Sequence, residues 1–201
     1  MARYEHPDRE PDVTKYSASS ASSLLPLDLW VGGADLLRGV PADLVSWLTE
    51  PGLMTDRIEA ASGASAGLKV VDERLGFLSR DEQALLLAPL NSCFVREVEL
   101  SALGQPWIFA CSLIPDHTLE KHAWLAELGT SALGATLKEF PGLERGPFEF
   151  APLPASHPLA MRAVARLATR PDVVWARRAW YGLRHCRLLI QEVFLPEIGR
   201  C

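Results

Sequence analysis

The sequence predicts an α+β fold, a largely antiparallel sheet with helices packed on one side. Three observations lead there. Two pairs of strand-like segments are each joined by a short turn, so they pair as hairpins and need no long parallel crossover. Strands outnumber helices and come consecutively. Of the 201 residues, 48% are hydrophobic and 22% charged, which supplies a packed core and argues against wholesale disorder.

Taken in order, residues 1–23 are polar and end in a serine-rich run, so they read as a poorly ordered extension, with residues 24–201 as one domain. LVSWLTEPGLMTDRIEA (44–60) reads as two short helices broken at Pro51–Gly52, the first with Leu44, Trp47 and Leu48 at core spacing. CFVREVEL (93–100) alternates: Phe94, Arg96, Val98 and Leu100 on one face, Cys93, Val95, Glu97 and Glu99 on a wetter one. SALGQ supplies a turn and PWIFACSLIP (106–115) completes the hairpin. A helix is expected over 118–128, with Thr118 as N-cap and Gly129 at its end, then a shorter one in SALGATLKEF. GPFEFAPL (146–153) gives a further strand, and HPLAMRAVARLAT (157–169) a helix with Leu159, Val164 and Leu167 toward the core. VVWARRAWYG and CRLLIQEVFLP form the second hairpin around YGLRHC. Trp107, Trp124 and Trp175 fall within these elements and read as core.

Several function classes are set aside by composition. A net charge of -5 and a pI near 5.6 leave no electrostatic footprint for nucleic acid. No stretch approaches 18 apolar residues and the opening MARYEHPDRE lacks a signal-peptide core, so a cytoplasmic protein with no membrane contact is expected. Cys93, Cys111, Cys186 and Cys201 have no zinc-site spacing; Cys93 and Cys111 could meet across the hairpin, but free thiols are expected in a reducing compartment. His117 and His122 lack the spacing of a helical metal pair, no group activates a particular thiol, and the glycines at 32–33 and 61–67 lack the strand–turn–helix setting of a phosphate loop. No metal is predicted.

LLIQEVFLP (188–196) carries a carboxylate, Glu192, inside an apolar run, sharing a strand face with Leu188, Ile190 and Phe194. A lone buried carboxylate costs several kcal/mol unless it is paired or protonated, as a rough scale. Arg96, also on the apolar face of its strand, is the expected partner. Two readings follow. The pair only braces the fold, or Arg96 offers its planar fork to a substrate carboxylate while Glu192, in apolar surroundings, serves as proton donor or hydrogen-bond partner.

MTDRIE, VREVEL, GQPWIFACSLIP, LGTSALGATL, WARRAWYG and LIQEVFLP, in this order and at these spacings, resemble the chorismate lyase family across residues 44–197. The resemblance implies an enzyme without a cofactor that converts chorismate to 4-hydroxybenzoate and pyruvate, the first step towards ubiquinone, in a sheet closed over an internal ligand cavity. The expected partner is chorismate alone, with no nucleic acid and no membrane, for a cytoplasmic monomer. Carried over position by position, Arg96 matches the arginine that binds the ring carboxylate and Glu192 the catalytic glutamate near the ring hydroxyl. Met54 in LMTDR and Leu133 in ALGATL match ligand-contacting positions served largely by backbone groups.

The sequence also departs from that pattern. Cys111 stands where the common ARTxxP form has an arginine, which implies a weaker grip on the substrate or a different hydroxybenzoate as product. Arg177 and Arg178 are retained and either compensate or lie at the surface. Residues 150–172 look like an insertion that decorates an edge in preference to forming a lid. From a different class, the fold implied is similar to UTRA-type sensor domains, which only bind a metabolite. A stand-alone binding protein for an aromatic carboxylate is therefore the rival reading, although keeping an acid at 192 favours catalysis.

Overall fold

A computed structural model describes residues 29–32 and 39–200, without the side chains of 199 and 200. The expected tail at 1–23 and Cys201 lie outside the described residues. The centre is a sheet of eight strands: β1 (Val31–Gly32), β2 (Gly67–Phe77), β3 (Ser92–Ala102), β4 (Gln105–Pro115), β5 (Glu144–Arg145), β6 (Glu149–Pro154), β7 (Val173–Leu183) and β8 (Cys186–Phe194). All pairings are antiparallel, in the order β1–β6–β7–β8–β4–β3–β2, with β5 also joined to β7. The two expected hairpins, β3–β4 and β7–β8, meet along β4 and β8 in the middle of the sheet.

Among the described residues, six short α-helices surround it: α1 (Ala42–Leu48), α2 (Met54–Ser62), α3 (Arg80–Leu86), α4 (Asp116–Lys121), α5 (Leu133–Lys138) and α6 (Pro158–Ala163). On the front face, Trp47, Leu48, Met54 and Ile58 from α1 and α2 pack on Leu100, Ile108 and Phe194. Beside them Leu125, Leu133 and Leu137 pack on Ile114 and Leu188. On the back face, Leu86 of α3 and Leu159, Ala160 and Ala163 of α6 cover Val95, Phe109, Cys111, Leu189 and Val193. This thinner second layer extends the expected one-sided packing. It follows from β4, whose residues 107–115 are buried on both faces, so that each face needs a cover.

Several elements differ from the sequence reading. β2 was not foreseen, because Asp72, Glu73 and Arg74 interrupt its apolar alternation. As an edge strand it tolerates that charge, which also discourages pairing with other chains. α3 carries a capping box: Ser79 Oγ accepts from the Glu82 N–H at 3.2 Å and the Glu82 carboxylate accepts from the Ser79 N–H at 2.8 Å. The helix after β4 begins at Asp116 directly behind Pro115, so Thr118 is not an N-cap; it is buried and its hydroxyl donates to the Arg187 carbonyl at 2.9 Å. That helix stops at Lys121, and a 3₁₀ turn over Ala123–Ala126 replaces the rest. α6 is likewise shorter than expected, starting after His157, whose Nδ1 accepts from the Leu159 N–H at 3.2 Å.

The segment 150–172 does more than decorate an edge. It supplies most of β6, an interior strand between β1 and β7, and the helix that covers the back face. Glu97 is correspondingly not on a wet face. It is 2% exposed beneath that cover, where it accepts from Arg162 Nε at 2.6 Å and Arg74 Nη2 at 3.0 Å.

Candidate active site

Residues opposite one another in adjacent strands share a face, so the register lays out the site. Across the front, Glu73 of β2 faces Arg96 of β3, and Arg96 faces Ser112 of β4. One step along, Ala110 of β4 faces Glu192 of β8, and Glu192 faces Arg177 of β7. Glu73, Arg96, Ser112, Glu192 and Arg177 therefore form a polar strip across the sheet, between the two apolar clusters of the front face. Burial concentrates its charge: Arg96 and Arg177 are each 2% exposed.

Arg96 and Glu192 do not pair with each other, contrary to the sequence expectation. β4 lies between their strands, which separates them by two strand spacings, roughly 10 Å. Glu192 meets Arg177 instead, Nε donating to the carboxylate at 2.6 Å. The same guanidinium donates from Nη1 to the carbonyls of Leu48 (3.2 Å) and Glu50 (2.6 Å), at the end of α1. Arg177 also stacks over Phe148, its guanidinium carbon 4.3 Å from the ring centre. Glu192 is thus ion-paired, as the sequence led one to expect, but with Arg177 in place of Arg96.

Arg96 has its own partners. Nη1 donates to the Glu73 carboxylate, and Nη2 to the carbonyls of Gly129 at 2.7 Å and Ser131 at 3.3 Å. It straps the loop that leads into α5. Gly129 sits there at φ +53°, a left-handed conformation that suits glycine.

Met54 and Leu133 open α2 and α5, and neither helix has a side-chain cap, so their first N–H groups have no such acceptor. The two starts are packed together: a Cβ on Gly134 would come within 3.3 Å of Leu53. Met54, Arg96, Leu133 and Glu192, the four residues singled out from the sequence, line one cavity together with Ser112 and Ile190. Its volume is about 70 Å³. Tyr181 lies near the Glu192–Arg177 pair; burial first, then the Glu192 charge, pushes its phenol above the ordinary range, so it stays neutral. Among the described residues no three His, Cys, Asp or Glu side chains are grouped to hold a metal.

Cys111 belongs to the other face. It lies opposite Glu97 and Gln191, fully buried in the back-face core, so its identity does not touch the cavity, contrary to the expectation drawn from the missing arginine. Burial pushes its thiol up to about 12. Arg178 also points to the back, where Nε donates to Glu149 at 2.5 Å. Cys93, Cys111 and Cys186 are free and buried.

Of the strip, the sequence reading named Arg177 but not as the partner of Glu192, and it did not single out Ser112 or Glu73. The Arg177–Glu192 pairing was legible in principle: Leu183 faces Cys186 across the turn, and counting outward places 177 opposite 192. Glu73 was not, because its facing depends on a bulge in a strand that carries no clean alternation.

Comparison with known proteins supplies the remaining evidence. Residues 25–199 match the sequence model described as chorismate lyase. A protein named probable chorismate pyruvate-lyase from Aromatoleum aromaticum is 41% identical over 164 residues, covering 79% of this chain and 88% of that protein. Its namesake from Dechloromonas aromatica is 39% identical, covering 77% and 88%. Among solved structures, the effector domain of PhnF from Mycobacterium smegmatis superposes with a TM-score of 0.54 at 15% identity, over 73% of this chain and 90% of that domain. At that identity the likeness is one of fold.

Proposed function

The chain belongs to the chorismate lyase family, and on that premise we propose that it converts chorismate to 4-hydroxybenzoate and pyruvate. The observation that carries the reading is the convergence of Arg96, Glu192, Met54 and Leu133 on one cavity, from four elements far apart in sequence. In this reading Arg96 binds the ring carboxylate through its planar fork, and the helix starts at Met54 and Leu133 present N–H groups to the remaining polar oxygens.

The reaction breaks the bond between ring carbon 3 and the enolpyruvyl oxygen. Carbon 4 loses its proton as the ring becomes aromatic, and the enolpyruvyl methylene gains one to give pyruvate. Atoms balance without oxidant, reductant or cofactor. Aromatisation drives the step, so the protein contributes orientation, exclusion of water and a proton acceptor. Glu192, oriented by its contact with Arg177, is that acceptor beside the ring hydroxyl. A cavity of about 70 Å³ lies well below the ~300 Å³ at which small-molecule pockets begin, so the starts of α2 and α5 have to part to admit the substrate.

We place the reaction in the cytoplasm, carried out by a monomer and feeding 4-hydroxybenzoate towards ubiquinone. Among the described residues no helix is long and apolar enough to cross a membrane. The test is to incubate purified protein with chorismate and separate the products, with Glu192→Gln as control. Equal amounts of 4-hydroxybenzoate and pyruvate, lost by about 10²–10⁴-fold in the control, are expected. A different hydroxybenzoate would change the product assignment. Thermal protection by chorismate without any turnover would make it a binding protein.

A further inference from the structure

Glu73 is out of place on an apolar-lined face. It is an acid on the edge strand, its side chain 35% exposed, yet its carboxylate reaches inward to the deeply buried Arg96. We infer that Glu73 is a built-in stand-in for the ligand: it occupies Arg96 while the cavity is empty, leaves when a substrate carboxylate arrives, and returns as the product departs. The inference rests on the reading of Arg96 as the carboxylate anchor.

The backbone is arranged for this contact. Val70 faces Val98, but Asp72, two residues on, faces Glu97, so Val71 is an extra residue in β2. One added residue turns every later side chain to the opposite face of the sheet. Without the bulge, Glu73 would point to the back beside Glu97, and Asp72 and Arg74 would point to the front. The bulge therefore aims one acid of the Asp72–Glu73–Arg74 run at Arg96 and sends its two neighbours to the back.

Charge gives the contact its function. Nη2 of Arg96 is engaged by the Gly129 and Ser131 carbonyls, so Nη1, the group Glu73 holds, is the donor a ligand carboxylate requires for a two-point contact. With Glu73 in place the strip is balanced, Arg96 and Arg177 against Glu73 and Glu192. A ligand carboxylate added beside Glu73 would leave an unmatched negative charge against deeply buried side chains. Glu192 is pinned by Arg177, whereas among the described residues Arg96 is the single side-chain partner of Glu73, which lies at the sheet edge next to solvent. Glu73 is the acid that can leave. Apparent ligand affinity is then the intrinsic affinity multiplied by the fraction of molecules in which Glu73 is away.

The experiment compares wild type, Glu73→Gln and Glu73→Asp for binding of 4-hydroxybenzoate and of neutral 4-hydroxybenzamide by calorimetry, and for the KM of chorismate. Glu73→Gln is expected to bind 4-hydroxybenzoate about tenfold more tightly or better, the scale of one released charge-assisted contact. KM falls with it, while the benzamide affinity stays within about twofold. Glu73→Asp keeps the charge but is one methylene short, and gives a smaller gain; if the Gln variant fails to fold, this gain carries the test. Equal or weaker binding of 4-hydroxybenzoate by the variants, or an equal gain for the benzamide, overturns the inference. If 4-hydroxybenzoate binds and tightens as expected but chorismate is not turned over, the inference stands and the lyase reading falls. If no protein binds 4-hydroxybenzoate, both fall.

Discussion

Arg177 holds Glu192 at 2.6 Å with one edge of its guanidinium and the backbone end of α1 with the other. The proposed acid–base residue and the chain leading to the α2 start of the cavity are therefore tied to one buried cation. Movement of the segment after α1 is coupled to the orientation of the Glu192 carboxylate through that single group.

Arg177→Met should cost about 3 kcal/mol, since removing one partner strands the carboxylate and the helix-end carbonyls. Urea unfolding should show the loss, and turnover per folded molecule should fall as well. Arg177→Lys should restore little of either. One ammonium cannot reproduce a planar group that serves a carboxylate on one side and carbonyls on the other.

Arg96→Met should weaken 4-hydroxybenzoate binding by about tenfold or more, the scale of a lost hydrogen bond to a charged group. It also frees the loop at Gly129 and Ser131, so amide hydrogen exchange there should quicken. Calorimetry and exchange on the same sample separate the two effects. Unchanged affinity would remove Arg96 from the binding site.

Cys111→Val should leave the product and the KM for chorismate unchanged, because the side chain faces the back-face core. The thiols themselves should be inert. With burial pushing Cys111 up to about 12 and Cys93 up to about 11, neither is a thiolate at pH 8. Iodoacetamide followed by peptide mapping should find both unmodified in the native protein and modified in denaturant.

His157 gives a pH dependence of known sign. Burial first, then Arg162, lowers its pKa below the ordinary value near 6.5. Between that lowered value and about 6.5 the unfolded chain binds more protons than the native one, so stability rises with pH across this window. The contribution is complete above the window and is lost as pH falls through the native pKa. His157→Asn can still cap α6 and does not titrate. Its urea midpoint should drop less than that of wild type between pH 7 and 5.

The hairpins were legible because β3 alternates with period two, β4 and β8 are apolar runs of strand length, and a short turn joins each pair; the alternate facing of strand residues then put Arg96 and Glu192 among apolar neighbours. Their separation was not legible, since it depends on which strand of each hairpin meets the other; β4 and β8 form the contact, leaving β3 two strands from Glu192. β2 was hidden for a related reason. Its charges are permitted by an edge position that exists only once the sheet is assembled, and the facing of Glu73 hangs on one unpaired residue. The wet-face reading of Glu97 failed because α6, drawn from the apparent insertion, brings Arg162 over it.

The seam between the two hairpins has a consequence for how the protein is made. Arg96 and Glu192 reach one cavity only through the pairing of residues 108–113 with 189–194, segments roughly 80 positions apart, whereas each hairpin closes locally. A nascent chain carries Arg96, the proposed carboxylate anchor, long before it carries Glu192, and the cavity is not complete until β8 has left the ribosome. Finishing the fold and completing the proposed binding cavity are one event, so a truncated chain ending before β8 lacks Ile190 and Glu192 of its lining.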